Sequence, residues 1–188
     1  PVVITVPVHV ETGTGGDNSA DAQKDYVNAR ISITPDEDTN EVNDDHDFIV
    51  TVEQDTGSGF GPVPEGTLAN AIASPVPDGG LDVSDCNDGV DALGQCTVTI
   101  NSSVAGVFTI TARSTVSVGG VEFKLQTNGV GENSDPAVKT YVDAKIILSP
   151  LNATNNITDP HTITATVSKN NGSSWSVAPD GTTVTFSL

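Results

Sequence analysis

The chain has 188 residues, with 25 acidic side chains against 7 lysines and arginines and a formal net charge of −18 at pH 7. Binding of nucleic acid through its phosphates requires the opposite sign of charge, so that class of function is excluded. The sequence contains no run of 18 apolar residues and no charged-then-apolar leader, so we expect neither membrane insertion nor a signal peptide.

Valine, isoleucine and threonine supply 59 residues, whereas leucine and alanine together supply 21. Because β-branched residues favour strands over helices, the composition predicts a nearly all-β fold. Alternating apolar and polar residues bounded by turn residues predict the strands in chain order, over 26–33, 46–54, 67–74, 95–101, 106–118 and 121–126. Gly119 and Gly120 predict a two-residue hairpin between the last two strands. This spacing is typical of a β-sandwich of about seven strands.

An internal repeat relates the two ends of the chain. Residues 12–73 match residues 127–188 without a gap at an offset of 115, and 22 of the 62 positions are identical. The identical pairs include Lys24 and Lys139, Tyr26 and Tyr141, Pro35 and Pro150, His46 and His161, and Thr67 and Thr182. An ungapped match of this length predicts tandem duplication of a unit of about 115 residues, the size of one sandwich domain.

The repeat predicts four parts. Residues 1–27 are expected to hold the final strand of a preceding repeat and a linker, and residues 28–127 a complete sandwich. Residues 128–142 are expected to form a linker, and residues 143–188 the first strands of a following repeat. Three strands cannot close a sandwich by themselves, so we expect further sequence to follow.

Several segments of the repeat resemble bacterial Ig-like repeats of the invasin and intimin type. They are residues 141–146, 153–155, 161–167 and 178–186 at the opening of the repeat, and residues 103–112 near its C-terminal end. The resemblance implies tandem immunoglobulin-like Greek-key β-sandwiches that serve as stalks or spacers in surface or secreted adhesins, without catalytic residues. The implied partners are neighbouring Ig-like repeats of the same or adjacent chains, and incomplete units at both ends suggest self-assembly by strand exchange.

The two cysteines, Cys86 and Cys96, enclose nine residues. Two cysteines without further Cys or paired His cannot make a four-ligand zinc site, and Cys-x-x-Cys redox spacing is absent. We therefore predict a disulfide, with two reduced core thiols as the alternative. A disulfide would place the protein outside the cytoplasm, in an extracellular or cell-surface setting.

Calcium is the one cofactor that the sequence suggests. Residues 36–47 contain seven carboxylates, and positions 1, 3, 5, 9 and 12 of a calcium loop would be Asp36, Asp38, Asn40, Asp44 and Asp47. Glu41 stands where the loop needs glycine, and the later copy keeps one of the seven acids, so a solvated acidic loop is the alternative. A second calcium hypothesis concerns the segments between repeats, with Asp17, Asp21, Glu132 and Asp135 as ligands.

Other side chains have ordinary interpretations. Equivalent lysines at 24 and 139 suggest Lys–Asn isopeptide crosslinks, but these need a buried lysine, and lysine is seldom buried. His46 and His161 are expected to cap a strand, and Trp175, the counterpart of Phe60, to cover the edge of the core. The usual motifs of hydrolases and phosphate-binding loops are absent. The sequence thus predicts a non-catalytic structural segment of an extracellular protein, or alternatively an adhesion module that binds glycan or a receptor through its loops.

Overall fold

The computed structural model describes residues 11–13, 16–17 and 19–187. Within these residues it contains twelve strands and one short helix, so the expectation of a nearly all-β fold is confirmed. The elements are β1 (Asn28–Thr34), β2 (Glu37–Glu41), β3 (His46–Asp55), β4 (Phe60–Pro62), β5 (Ala69–Ser74), β6 (Leu81–Asp82), α1 (Ser84–Asp88), β7 (Gln95–Ile100), β8 (Gly106–Val118), β9 (Val121–Gln126), β10 (Ala137–Ser149), β11 (Thr164–Asn170) and β12 (Trp175–Val177). The strand expected over residues 1–11 falls almost entirely outside the described residues.

The first sheet has the order β1-β3-β7-β6, with β4 paired to β3, and all of its pairings are antiparallel. Its strands form because apolar residues recur at every second position, which places them on one face. In β3 this face consists of Phe48, Val50 and Val52, which are all fully buried.

The second sheet has the order β12-β11-β10-β8-β5, with β2 paired to β10 and β9 paired to β8. The pairing of β2 with β10 is parallel, whereas the others are antiparallel. Buried side chains of this sheet, such as Ile110 and Tyr141, join those of the first sheet in one core. Full burial of a large apolar side chain contributes about 1.5–3 kcal/mol, so this shared core holds the two sheets together as a sandwich.

Strand β10 corrects the expected linker over residues 128–142. Its first half, residues 137–142, pairs with β8 and β2, and residues 143–149 pair with β11. Ala137, Lys139 and Tyr141 alternate with more exposed neighbours and are completely buried. Alternation of apolar residues does not reveal this strand, because a lysine occupies one of its three inward positions. Residues 137–142 are therefore the closing strand of the first sandwich.

Residues 128–136, the rest of the expected linker, cross to the free edge of β1. The backbone N–H groups of Ile31 and Ile33 donate to Asn133 Oδ1 at 3.0 Å and to Ser134 Oγ at 3.2 Å. The N–H of Ser134 donates to the carbonyl of Ile31 at 3.1 Å. An uncovered strand edge invites pairing with other chains, and this segment satisfies that edge.

The strands on the two sides of β10 share one register. Asn28 opposes Asp55 in the pair β1–β3, and Asp143 opposes Asn170 in the pair β10–β11, a shift of 115 residues for both partners. The same shift relates β3–β4 to β11–β12. Burial differs, because Ile31 is 0% exposed and its counterpart Ile146 is 53% exposed. The inner face of the later strands is therefore open in this chain.

Candidate functional site

The two cysteines form a disulfide between α1 and β7, as the sequence predicts. Both are buried against the core, Cys86 from the helix and Cys96 from the strand. The bond fixes the short helix to the first sheet. Disulfides persist mainly in oxidising compartments, so this pair indicates a non-cytoplasmic protein. No helix in the part of the chain that the structure describes has the length and apolar character to cross a membrane.

The five side chains of the acidic calcium hypothesis lie on and around β2 and β3. Asp36 precedes β2, Asp38 and Asn40 lie on it, Asp44 follows it, and Asp47 lies on β3. Three of them already have protein partners. Asp38 and Asn40 contact Lys139, and Asp47 Oδ1 accepts a hydrogen bond from Thr99 Oγ1 at 2.6 Å.

The acids of the second calcium hypothesis lie in two separate stretches of chain. Asp21 Oδ1 accepts a hydrogen bond from Thr12 Oγ1 at 2.6 Å, and Glu132 and Asp135 lie in the segment that crosses to β1. Among residues 11–13, 16–17 and 19–187, no group of three or more His, Cys, Asp or Glu side chains is arranged to hold a metal ion. Both calcium hypotheses stay predictions.

Lys139 is the centre of the most unusual group of polar side chains, which we call the Lys139 cluster and define as Asp38, Asn40, His46, Lys139 and Tyr141. Lys139 is 0% exposed. Its Nζ donates to Asp38 Oδ2 at 2.5 Å and to Asn40 Oδ1. The sequence-based expectation of exposed lysines is wrong at this position, because the closing strand turns the side chain toward the interior.

The parallel pairing of β2 with β10 creates these contacts. Lys139 lies opposite Asp38, and Tyr141 lies opposite Asn40. Alternate residues of a strand share one face, so Asp38 and Asn40 both point toward the side on which Lys139 lies. Their side chains are partly exposed and form the rim of the cluster, and Lys139 forms its floor.

His46 approaches the same carboxylate oxygen of Asp38 that Lys139 contacts. Its Nδ1 lies 3.1 Å from Asp38 Oδ2, and its ring meets the ring of Phe48 edge-on with centroids 4.6 Å apart. Burial, and then the positive charge of Lys139, lower the pKa of His46 below its ordinary value. The hydrogen bond from Lys139 lowers the pKa of Asp38, so Asp38 is a carboxylate at neutral pH.

Tyr141 closes the cluster from below. Its hydroxyl lies 2.7 Å from the carbonyl oxygen of Ile100 and 2.9 Å from that of Asp44. Burial, followed by the negative charges of nearby aspartates, raises the pKa of Tyr141 to about 12. The phenol therefore stays a donor, and it holds the later part of the acidic segment, at Asp44, next to the end of β7.

Trp175 and its counterpart Phe60 both carry a cation on one ring face. Arg30 Cζ lies 4.1 Å from the ring centroid of Phe60, and Lys145 Nζ lies 3.9 Å from that of Trp175. Arg30 and Lys145 are themselves related by the 115-residue shift. Lys145 covers one face of Trp175, which is 41% exposed and outside the buried core, so the interpretation of Trp175 as an edge aromatic stays a prediction.

An open groove of about 990 Å³ lies beside β5, β8 and β9. Its lining includes apolar residues such as Leu68 and Leu125 and the charged residues Arg113 and Lys124, and none of the described residues that line it is aromatic. Small-molecule sites are usually lined with both apolar and aromatic side chains, and this groove lacks the aromatic ones.

Comparison with family models, with curated proteins and with solved structures finds no match for the chain.

Proposed function

We propose that the chain is a segment of a tandem array of Ig-like β-sandwiches that acts as a non-catalytic stalk, spacer or filament-forming module of an extracellular surface or matrix protein. One observation carries the proposal. The 115-residue shift that relates the two halves of the sequence also relates the strand registers on the two sides of β10. Repeats that keep core and register while the surface changes are typical of modules selected for shape.

The order of the strands supports an Ig-like unit over residues 28–142. The sheet β1-β3-β7-β6 faces the sheet β2-β10-β8-β5 across one core. Ig-type sandwiches likewise divide about seven to nine strands between two sheets. In the present chain the parallel pair of β2 and β10 joins an early strand of this unit to its closing strand.

The continuity of β10 supports a mechanical role. One strand closes the first sandwich and opens the next set of strands without a flexible spacer between them. Gly- and Ser-rich linkers behave as flexible coils, whereas a paired strand does not. Tension applied along the array would therefore pass directly from unit to unit.

The open inner face of β10–β12 supports association with further repeats. Ile146 and Leu148 are exposed, although their counterparts Ile31 and Ile33 are fully buried. Burial of these side chains requires a second sheet, which a neighbouring repeat of the same chain or an exchanged strand of an adjacent chain would supply.

Electron microscopy of the parent protein, isolated from its source, tests the proposal. We expect rows of globular densities of equal size, one for each repeat, which project from a surface or are joined into filaments. A single compact particle with no repeated substructure would overturn it.

The alternative is an adhesion module that binds glycan or a receptor. Such a module would use the loops at one end of the sandwich or the groove beside β5, β8 and β9, and the non-aromatic lining of that groove favours the stalk. Specific retention of the chain on a glycan array would favour the alternative.

A further inference from the structure

The burial of Lys139 is not required by the fold. It occupies an inward position of β10 between Ala137 and Tyr141, where an apolar residue would pack without desolvating a charge. A buried ammonium is costly even when it is paired, and replacement of buried ion pairs by apolar residues is often neutral or stabilising. A lysine at this position is thus better explained by its chemistry than by packing.

The contacts of Lys139 supply a nucleophile, an electrophile and a base in one place. The amine contacts the side-chain carbonyl oxygen of Asn40, so the carbonyl carbon Cγ lies one C=O bond of about 1.23 Å beyond the contacted atom. The same amine lies 2.5 Å from the carboxylate of Asp38. Holding reacting groups in contact replaces a bimolecular encounter by an intramolecular step, with effective molarities up to about 10⁵–10⁸ M.

We propose that Lys139 and Asn40 become joined by an intramolecular isopeptide bond after the sandwich has folded, with Asp38 as the carboxylate that transfers the protons. The proposal does not depend on the stalk function, since it concerns only the covalent state of this chain.

The reaction balances without an oxidant or another reactant. Asp38 accepts a proton from the ammonium of Lys139 across their 2.5 Å contact. The neutral Nζ attacks Cγ of Asn40, and the Nζ–Cγ bond forms as the carbonyl electrons move to Oδ1. Protonated Asp38 gives its proton to Nδ2, the electrons on Oδ1 restore the carbonyl group, and the Cγ–Nδ2 bond breaks with its electron pair on nitrogen. Nζ still carries two hydrogens and gives one proton to the restored carboxylate of Asp38, from which the released ammonia takes it and departs as ammonium. The hydrogen that remains on Nζ is the N–H of the new amide, which Asp38 accepts as a hydrogen bond.

The bond would join two strands that are distant in sequence. Asn40 on β2 and Lys139 on β10 are 99 positions apart, and in sequence they lie near the start and the end of the first unit. The carboxylate is not repeated in the later copy, where Ala153 corresponds to Asp38 although Asn155 corresponds to Asn40. The chemistry therefore belongs to the first unit of this chain.

The mass of the folded chain, measured after reduction and denaturation, tests the proposal. We expect the wild-type protein to be lighter than its sequence mass by one ammonia, about 17 Da, as a covalent modification. Trypsin should fail to cleave after Lys139, and residues 125–145 should remain joined to residues 31–113. An unmodified mass, or Lys139 that reacts with an amine reagent after denaturation, would overturn the proposal.

Asparagine can also lose ammonia by cyclising onto its own backbone, and Asn128-Gly129 and Asn171-Gly172 are candidates for this reaction. A mass deficit that maps to one unlinked peptide would therefore count against the crosslink. Joined peptides would establish it.

Four variants define the roles of the three side chains. Asn40→Ala and Asp38→Ala should show the full sequence mass, with circular dichroism confirming that each has folded. Asn40→Asp should lose one water, about 18 Da, instead of ammonia, because a carboxylic acid condenses with an amine in that way. Lys24→Ala changes the equivalent lysine, which is exposed in this chain, and should leave the deficit of wild type unchanged. A deficit that survives in Asn40→Ala would exclude Asn40 as the partner.

Discussion

At the residue scale, the hydroxyl of Tyr141 makes a clear contribution to stability. Tyr141 is fully buried, and its hydroxyl lies within hydrogen-bonding distance of the carbonyl oxygens of Ile100 and Asp44. We expect Tyr141→Phe to lower the free energy of unfolding by about 1–3 kcal/mol, because a buried acceptor is left without its donor. The midpoint of urea unfolding measures this change. Tyr26→Phe is the matched control, since Tyr26 is 80% exposed. Equal losses in the two variants would contradict the assignment.

His46 predicts a dependence of stability on pH. Its pKa in the folded protein lies below the ordinary value of 6.5, chiefly through burial and with a further contribution from Lys139 on β10. The charges of Asp38 on β2 and Asp47 beside it on β3 act in the opposite direction. As the pH falls below 6.5, the unfolded chain takes up a proton that folded His46 does not, so stability is complete above this pH and decreases below it.

The melting temperature should therefore decrease between pH 7.5 and 5.5. Burial lowers the pKa of His46 whether or not Lys139 is crosslinked to Asn40. The decrease in melting temperature is therefore expected for both the crosslinked and the uncrosslinked protein. His46→Gln should remove the decrease, and His161→Gln, at the exposed equivalent position, should retain it. The lowered pKa of Asp38 acts in the same direction, but only below its ordinary value of 3.8. A flat profile of the wild-type protein would exclude the role of His46.

At the element scale, the disulfide fixes α1 to β7. In the chain-entropy description, a bond between residues 10 positions apart stabilises the fold by about 3 kcal/mol. The double variant Cys86→Ala with Cys96→Ala should therefore lower the free energy of unfolding by about this amount. Guanidinium titration measures it, and titration of reduced wild-type protein separates the bond from the change in side chains. A double variant as stable as oxidised wild type would show that the core alone holds the helix.

The same scale shows which elements could be predicted. The strands β1, β3 and β8 follow from alternation of apolar residues, because their buried positions carry apolar side chains, with Ser114 in β8 as the exception. The first half of β10 breaks this pattern at Lys139, and β2 consists of polar residues only. Both strands depend on the contact between Lys139 and Asp38, which lies 101 positions earlier in the chain. Local periodicity carries no information about such a partner, so the cluster could not be recognised from sequence.

The segment that covers the edge of β1 was missed for a related reason. Asn133 and Ser134 bind the backbone of β1, and short polar side chains that bind backbone groups look the same in sequence as those of a solvated linker. The one available signal was their repetition, since Asn18 and Ser19 occupy the equivalent positions of the earlier copy.

At the scale of the whole molecule, the strand order determines where tension would enter the first sandwich. When an array is pulled from its ends, the force acts on the first sandwich at residue 28, at the start of β1, and at residue 142, at the junction within β10. The proposed bond between Asn40 and Lys139 lies beside residue 142 and twelve positions after residue 28 in the chain, and it offers a covalent path between the two parts of the chain. The 98 residues between the bonded side chains would then be shielded from the force.

Single-molecule extension of the chain between handles measures this shielding. The crosslinked wild type should unfold without releasing the 98 shielded residues, whereas Asn40→Ala should release all of them except the nine that the disulfide encloses, and lengthen by about 290–320 Å more, at 3.3–3.6 Å for each residue. Removing the disulfide from wild type should add no length, because Cys86 and Cys96 both lie inside the shielded segment. In Asn40→Ala the same removal should add the nine residues between the cysteines, about 30 Å. Equal extensions of wild type and Asn40→Ala would show that the covalent path is absent, because only a bond between β2 and β10 makes the two lengths differ.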